Sequence, residues 1–240
     1  MSELQEEHWW YVARRQYIAS ILKSISPNSL QSVLEVGCGP GPMIGFLRKY
    51  GKTVIGIEYS KYALRLCHNH GNDKLVRGTI EKLPFPDESF DLVTAFEVLY
   101  HRNVRDDMEA IKELYRICKK GGNVLIVDPA FHFLKGQHHD FSHGMRRYTV
   151  KTLSQKLESA GFFIKKASYL YMCIFPLLCM IRLFKNMFFH TGAISSELKK
   201  TNRVVNQCLI FLFKEESCIL RSLNLPFGAS VLCVAEKRPV

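Results

Sequence analysis

The nine residues Val33-Leu-Glu-Val-Gly-Cys-Gly-Pro-Gly41 constrain this chain more than any other stretch. Ser32–Val36 reads as a short buried strand. Three alternating glycines follow, and Pro42 suits the first turn of a helix. Glycine at this density lets backbone turn tightly and pass close to a ligand, with free N–H groups at the start of the next helix. A strand, a glycine loop and a helix in that order open an α/β fold.

The rest of the chain repeats that rhythm. Thr53–Ile57 is a second strand, and Ser60–His70 a helix with Ser60 as N-cap. Leu75–Arg77 and Phe90–Phe96 are the third and fourth strands. Arg105–Ile117 is a helix that stops at Lys119-Lys-Gly-Gly122, and Asn123–Asp128 is the fifth strand. Nearly continuous apolar strands alternating with helices predict a parallel sheet covered on both faces. Residues 150–160 look helical, and Phe162–Tyr171 and Ala229–Glu236 look like strands. The interval between those two strands is too long for a plain loop. It holds two apolar stretches, Met172–Phe189 and Val204–Leu223. Pro176, Arg182 and Lys185 interrupt the first, and Lys214, Glu215 and Glu216 the second, which makes a membrane span the lesser reading. The pair is expected to pack on the domain or lie on a membrane surface.

The chain of 240 residues suits one domain. We divide it into an N-terminal helical cap (1–30), a core (31–170 and 226–240) and an apolar helical insert (171–225). The cap reads as an amphipathic helix over residues 3–25. The start of the chain is acidic and polar, so no signal peptide is expected. Eight scattered cysteines without a C-x-x-C pair point to reduced thiols and a cytoplasmic protein, with membrane association through 171–225 left open. The net charge of +11 is uneven: residues 1–130 hold 17 basic against 16 acidic residues, and residues 131–240 hold 16 against 6. A basic region of this kind attracts phosphates, anionic headgroups or nucleic acid, or is simply a solvated face.

Glu58 ends the second strand, 21 residues after Gly37. A carboxylate there can accept both hydroxyls of a ribose. Loop and acid together predict a nucleoside-containing cofactor. A nicotinamide dinucleotide fits less well. Pro42 stands where a small residue is wanted, Glu35 gives the pattern E-x-G-x-G, and no second dinucleotide half follows.

With these features the sequence resembles the class I S-adenosylmethionine-dependent methyltransferase family, in particular its ubiquinone and menaquinone C-methyltransferase branch. The matching stretches are Val33–Gly41, Val54–Glu58, Gly78–Asp91, Leu92–His101 and Leu114–Val127. The resemblance implies a Rossmann-like, seven-stranded, mostly parallel sheet with an antiparallel C-terminal hairpin, the helical insert falling before the last strand. It implies S-adenosylmethionine as cofactor. Glu35, Gly37, Gly39 and Gly41 would surround the methionine portion, with Cys38 filling the loop among them. Glu58 would hold the ribose, Tyr59 would lie beside the adenine, and Thr79 and Ile80 would line its pocket. Phe96 would approach the sulfonium. An aspartate is usual where Thr79 stands, so the adenine contact there is weakened. Glu35 as a salt-bridge residue and Phe96 as a core aromatic stay open as alternatives. The run His8-Trp-Trp-Tyr11 before Arg14-Arg15 resembles a bacterial subgroup whose N-terminal helix folds over the cofactor site; Trp9 and Trp10 either do this or anchor the helix.

Ligands of such folds sit at the carboxyl ends of the strands. After strand four comes Glu97-Val-Leu-Tyr-His101, and after strand five the run Gln137–Tyr148. Methyl transfer needs an aligned nucleophile and, for a hydroxyl or acidic carbon, a base. His139, His143 and His101 are the candidate bases, in that order. Arg146 and Arg147 could clamp a phosphate or carboxylate, and Tyr148 could orient the acceptor. His138, His139, Asp140 and His143 match no zinc spacing, and no metal is expected; a solvated loop is the other reading. The expected activity is methyl transfer to a small or lipid-like, anionic acceptor. A nucleic-acid methyltransferase is the alternative, without an Asn-Pro-Pro-Tyr-like motif after strand four to support it. A non-catalytic binding protein of the same fold is the third reading.

Overall fold

The structure, a computed structural model, describes residues 7–25, 30–134, 144–188 and 201–239. Seven strands form one sheet: β1 (Leu30–Val36), β2 (Gly51–Glu58), β3 (Leu75–Arg77), β4 (Phe90–Phe96), β5 (Cys118–Pro129), β6 (Phe163–Leu170) and β7 (Ser230–Glu236). Their order is β3-β2-β1-β4-β5-β7-β6. The first five run parallel, and β7 is antiparallel to both neighbours. The expected seven-stranded, mostly parallel sheet with a C-terminal antiparallel pair is therefore present.

This order fixes where a ligand can go. The chain builds outward from β1 to β3, then crosses back to place β4 on the other side of β1. Connections leave β1 and β4 in opposite directions, and a crevice opens between their carboxyl ends. Val36 lies opposite Ala95 in the pairing, so the glycine loop and the residues after Phe96 emerge side by side.

Local signals set the helices. Ser60 caps α3 (Lys61–Asn69) by accepting the Ala63 N–H at 3.3 Å. Asp106 caps α4 (Asp107–Ile117), accepting the Met108 N–H at 2.8 Å. Thr149 and Thr152 form a capping box at α5 (Val150–Ser159). Two expectations shift. The helix expected near Pro42 is a single turn, α2 (Ile44–Leu47). The pair Gly121-Gly122, read as a helix stop, lies inside the entry to β5: α4 ends at Ile117, and pairing with β4 slips between Phe90 and Leu92.

The described cap is α1 (Trp9–Ile25), whose Ala13, Tyr17, Ile18, Ile21 and Leu22 are buried. The insert forms α6 (Phe175–Phe188) and α7 (Arg203–Ser222), and α7 packs along α1. Trp9 stacks on Phe213 at 5.5 Å between centroids, and Trp10 on Tyr171 at 4.4 Å. Both tryptophans thus anchor the helix to the core, each in its own direction. Glu216, which looked like an interruption of an apolar run, is buried and does structural work. Its carboxylate accepts the Tyr17 hydroxyl at 2.7 Å and the N–H groups of Met172 at 2.9 Å and Cys173 at 3.0 Å. It ties cap, insert and the end of β6 together. No described helix is long and apolar enough to cross a membrane.

Candidate functional site

The glycine loop turns as its composition requires. Gly37 has φ +66°, and a Cβ there would sit 2.6 Å from Val98 Cγ2. Gly41 has φ +84°, and a Cβ there would meet Cys67 Sγ at 2.5 Å. Both positions combine a left-handed backbone with no room for a side chain, so only glycine fits. Cys38 is buried beneath the loop, and burial pushes its thiol well above the usual range. It fills space there, as a reactive thiolate would not.

Glu58 stands across from the loop. Its Oε2 accepts the Gly39 N–H at 3.1 Å and its Oε1 the Ser60 N–H at 2.8 Å. A carboxylate has about four lone-pair sites, so acceptor capacity is left for two ligand hydroxyls. A cleft of about 620 Å³ opens beside it, within the range of small-molecule sites. Val36 and Gly37 line one side, and Glu58, Tyr59, Thr79 and Ile80 another. Tyr59 is exposed at the rim, and Ile80 is buried in the wall. Thr79 is there too, but the nearby Glu81 does not replace the usual aspartate. Its Oε1 is taken by the backbone N–H groups of Arg105 at 2.8 Å and Asp106 at 2.9 Å.

Glu97, Val98 and His101 close the cleft on the β4 side. Phe96 is buried, and its neighbours Glu97 and Val98 form the wall at the place expected for it. Glu97 has φ +59°, a left-handed turn that ends the strand. Its carboxylate is ion-paired with the Arg14 guanidinium from α1. Arg14 also donates to the Tyr171 hydroxyl. Its positive charge reaches Glu35, which is fully buried on β1 with Oε2 lacking a hydrogen-bond partner. Burial pushes the Glu35 carboxyl up to about 8, and Arg14 only partly opposes that.

The substrate-side candidates separate. His139 and His143 lie outside the described residues, as do His138 and Asp140. His101 lines the cleft, and its Nδ1 accepts the Asn103 N–H at 3.1 Å. His101, a candidate base, thus stands at the cleft wall. Arg146 gives its guanidinium to the carbonyls of Val104 at 2.6 Å and Arg105 at 2.7 Å, and Arg147 donates to the Ala130 carbonyl at 2.8 Å. Tyr148 is buried, with its hydroxyl on Asp107 at 2.8 Å. All three therefore brace the segment leaving β5. The reason is visible in the backbone: Met145 and Arg146 donate to the Tyr100 carbonyl, which draws this run under the β4 loop.

Sequence reasoning missed Arg14, Glu97 and Asp128. Asp128 is fully buried at the end of β5. Its Oδ1 accepts the Tyr100 N–H at 3.3 Å, and its Oδ2 is buried without a hydrogen-bond partner. Its position directly after an apolar strand was the available signal. Arg14 carried no such mark, being one of two adjacent arginines on an amphipathic helix.

Comparison with known proteins agrees with this geometry. Residues 34–126 match the family described as "Methyltransferase domain". An uncharacterised methyltransferase of Bacillus subtilis is 29% identical over 122 residues, 48% of this chain and 47% of that protein. The demethylmenaquinone methyltransferase of Oceanobacillus iheyensis is 34% identical over 116 residues, 45% of this chain and 48% of that protein. The chain thus spans about half the length of these curated relatives. In overall fold it is similar to a SAM-dependent methyltransferase of Archaeoglobus fulgidus, with TM-score 0.62, 17% identity, and coverage of 98% of this chain and 97% of that one.

Proposed function

We propose that the chain, whose residues 34–126 match the methyltransferase domain family, is a class I S-adenosylmethionine-dependent methyltransferase that methylates a small or lipid-like, anionic acceptor. The observation that carries this is the meeting of Glu58 and the Gly37–Gly41 loop at one cleft. Glu58, with lone pairs to spare, takes the ribose hydroxyls. Tyr59, Thr79 and Ile80 receive the adenine. Gly37, Gly39, Gly41 and Glu35 receive the methionine portion. S-adenosylmethionine supplies a methyl group on a positively charged sulfur, already activated for transfer to a nucleophile. The chain's part is to align the acceptor, exclude water and place protons. His101, at the cleft wall, is placed to meet the acceptor as a base or an orienting group. On chemical grounds alone, His139 and His143 are the other candidates for proton removal.

Two features favour the acceptor class. The insert exposes Leu177, Met180 and Ile181 on α6, and Val204, Phe211 and Ile219 on α7. The part of the chain that contains it carries the basic excess. Apolar surface beside positive charge suits an anionic amphiphile or the membrane that holds one. Peripheral membrane contact through 171–225 belongs to the same proposal.

Methyl-labelled S-adenosylmethionine should be offered with demethylmenaquinone, with an anionic lipid extract and with RNA. Label in a lipid-phase product supports the reading. Label confined to RNA, or to no fraction, overturns the acceptor class. Flotation with anionic vesicles tests the membrane contact separately, and protein left at the bottom of the gradient rejects it.

A further inference from the structure

We infer that α7 is the helix that meets an anionic bilayer, and that its docking there tightens the cofactor cleft through the cap helix. This rests on the membrane contact and the cofactor proposed above. One side of α7 faces solvent with Val204, Cys208, Phe211, Leu212 and Ile219, which recur at helical spacing along its length. Val204 is 70% exposed and Phe211 64%, apolar surface that packing within the chain leaves unused. Arg203, Lys214 and Arg221 share one flank of that side and are exposed. Glu215, beside Lys214, is the one exposed acid of the helix. An apolar stripe with cations along its margin suits a surface of anionic lipid. The stripe enters among the acyl chains, and the cations stay at the headgroups.

The opposite side of α7 grips the cap. Asn206 Oδ1 accepts the Trp9 N–H at 2.8 Å, and the Ser217 carbonyl accepts the Ser20 hydroxyl at 2.6 Å. Between them Phe213 stacks on Trp9, and Glu216 accepts the Tyr17 hydroxyl. These contacts follow α1 from Trp9 to Ser20, so the two helices hold one arrangement together. From α1, Arg14 then reaches the cleft: it is ion-paired with Glu97, a wall residue in a left-handed turn. Lipid that favours the packed pair of helices therefore favours the Arg14–Glu97 contact as well. The cleft wall is set before the cofactor arrives. Linkage makes the effect reciprocal: lipid raises cofactor affinity by the factor by which cofactor raises lipid affinity.

The test is calorimetry of the full chain with S-adenosylhomocysteine, with phosphatidylglycerol vesicles, with phosphatidylcholine vesicles and without lipid. Flotation with the same vesicles runs beside it. The anionic vesicles should tighten binding by about fivefold or more, the lower end of allosteric coupling, and the neutral ones should not. The double variant Phe211→Glu with Ile219→Glu, on the exposed side of α7, should stop floating and lose the gain. R14Q should still float and lose the gain. If the double variant floats as the native chain does, α7 is not the docking helix and the inference fails. If the native chain floats with unchanged affinity, or R14Q keeps the full gain, the coupling through the cap fails while the membrane contact stands. A native chain that does not float overturns the membrane contact and this inference with it. One that binds no S-adenosylhomocysteine overturns the cofactor proposal instead.

Discussion

The Glu58 carboxylate accepts the Gly39 N–H at 3.1 Å, joining the end of β2 to the loop that follows β1. One residue thereby holds the loop and faces the cleft. Replacing Glu58 by Ala removes the proposed ribose acceptor. S-adenosylhomocysteine affinity is expected to fall by about tenfold to a hundredfold, the range for one or two lost hydrogen bonds to a charged group. Calorimetry checks this. Unchanged affinity would remove Glu58 from the site.

Gly37→Ala sets a Cβ against Val98 in a left-handed backbone. The conformational part alone costs on the order of 1–2 kcal/mol, and thermal unfolding should show at least that loss. The double variant Gly37→Ala with Val98→Ala relieves the contact but not the backbone strain. It should recover part of the stability. Full recovery would mean that the left-handed turn is not required.

Asp128 holds the backbone of Tyr100 from beneath. Asp128→Ala leaves the Tyr100 N–H buried without that acceptor, at about 1–3 kcal/mol. Asp128→Asn keeps one acceptor and should cost far less. Burial raises the carboxyl well above the usual range. For an acid raised on folding, the stability contribution is full below its unfolded value and is lost as pH rises through the folded one. Chemical denaturation across pH should show that decline in the native chain and a flatter profile in Asp128→Asn.

Glu35 provides a second pH signature. Its carboxyl is raised to about 8, so the unliganded protein holds it protonated at neutral pH. An ammonium brought beside it favours the ionised form. Binding of S-adenosylhomocysteine near neutral pH should therefore release a proton from Glu35, and affinity should rise as pH climbs toward 8. Titrations in buffers of different ionisation enthalpy measure the release. Glu35→Gln should bind with about one proton fewer released. Equal release in both proteins would place the titrating group elsewhere.

The sheet and the glycine loop were legible because their signals are local. A strand is read from consecutive apolar residues, and a left-handed turn from glycine. Glu58 was legible too, since the distance from β1 to the end of β2 is set by one βαβ unit. The Arg14–Glu97 pair was not. The two residues are 83 positions apart, and neither has a neighbourhood that marks it. Glu216 misled for the same reason: a charge inside an apolar run looks like an interruption until Tyr17, Met172 and Cys173 are seen around it. Arg146, Arg147 and Tyr148 offered ligand-binding chemistry in sequence, and sequence could not show that they also reach the carbonyls of Val104 and Ala130 and the Asp107 carboxylate.

The most direct test of the account is a calorimetric titration of the native chain with S-adenosylhomocysteine. The account predicts saturable binding at one site per chain, weakened in Glu58→Ala. A folded native chain that gives no saturable binding with S-adenosylhomocysteine or S-adenosylmethionine would contradict it.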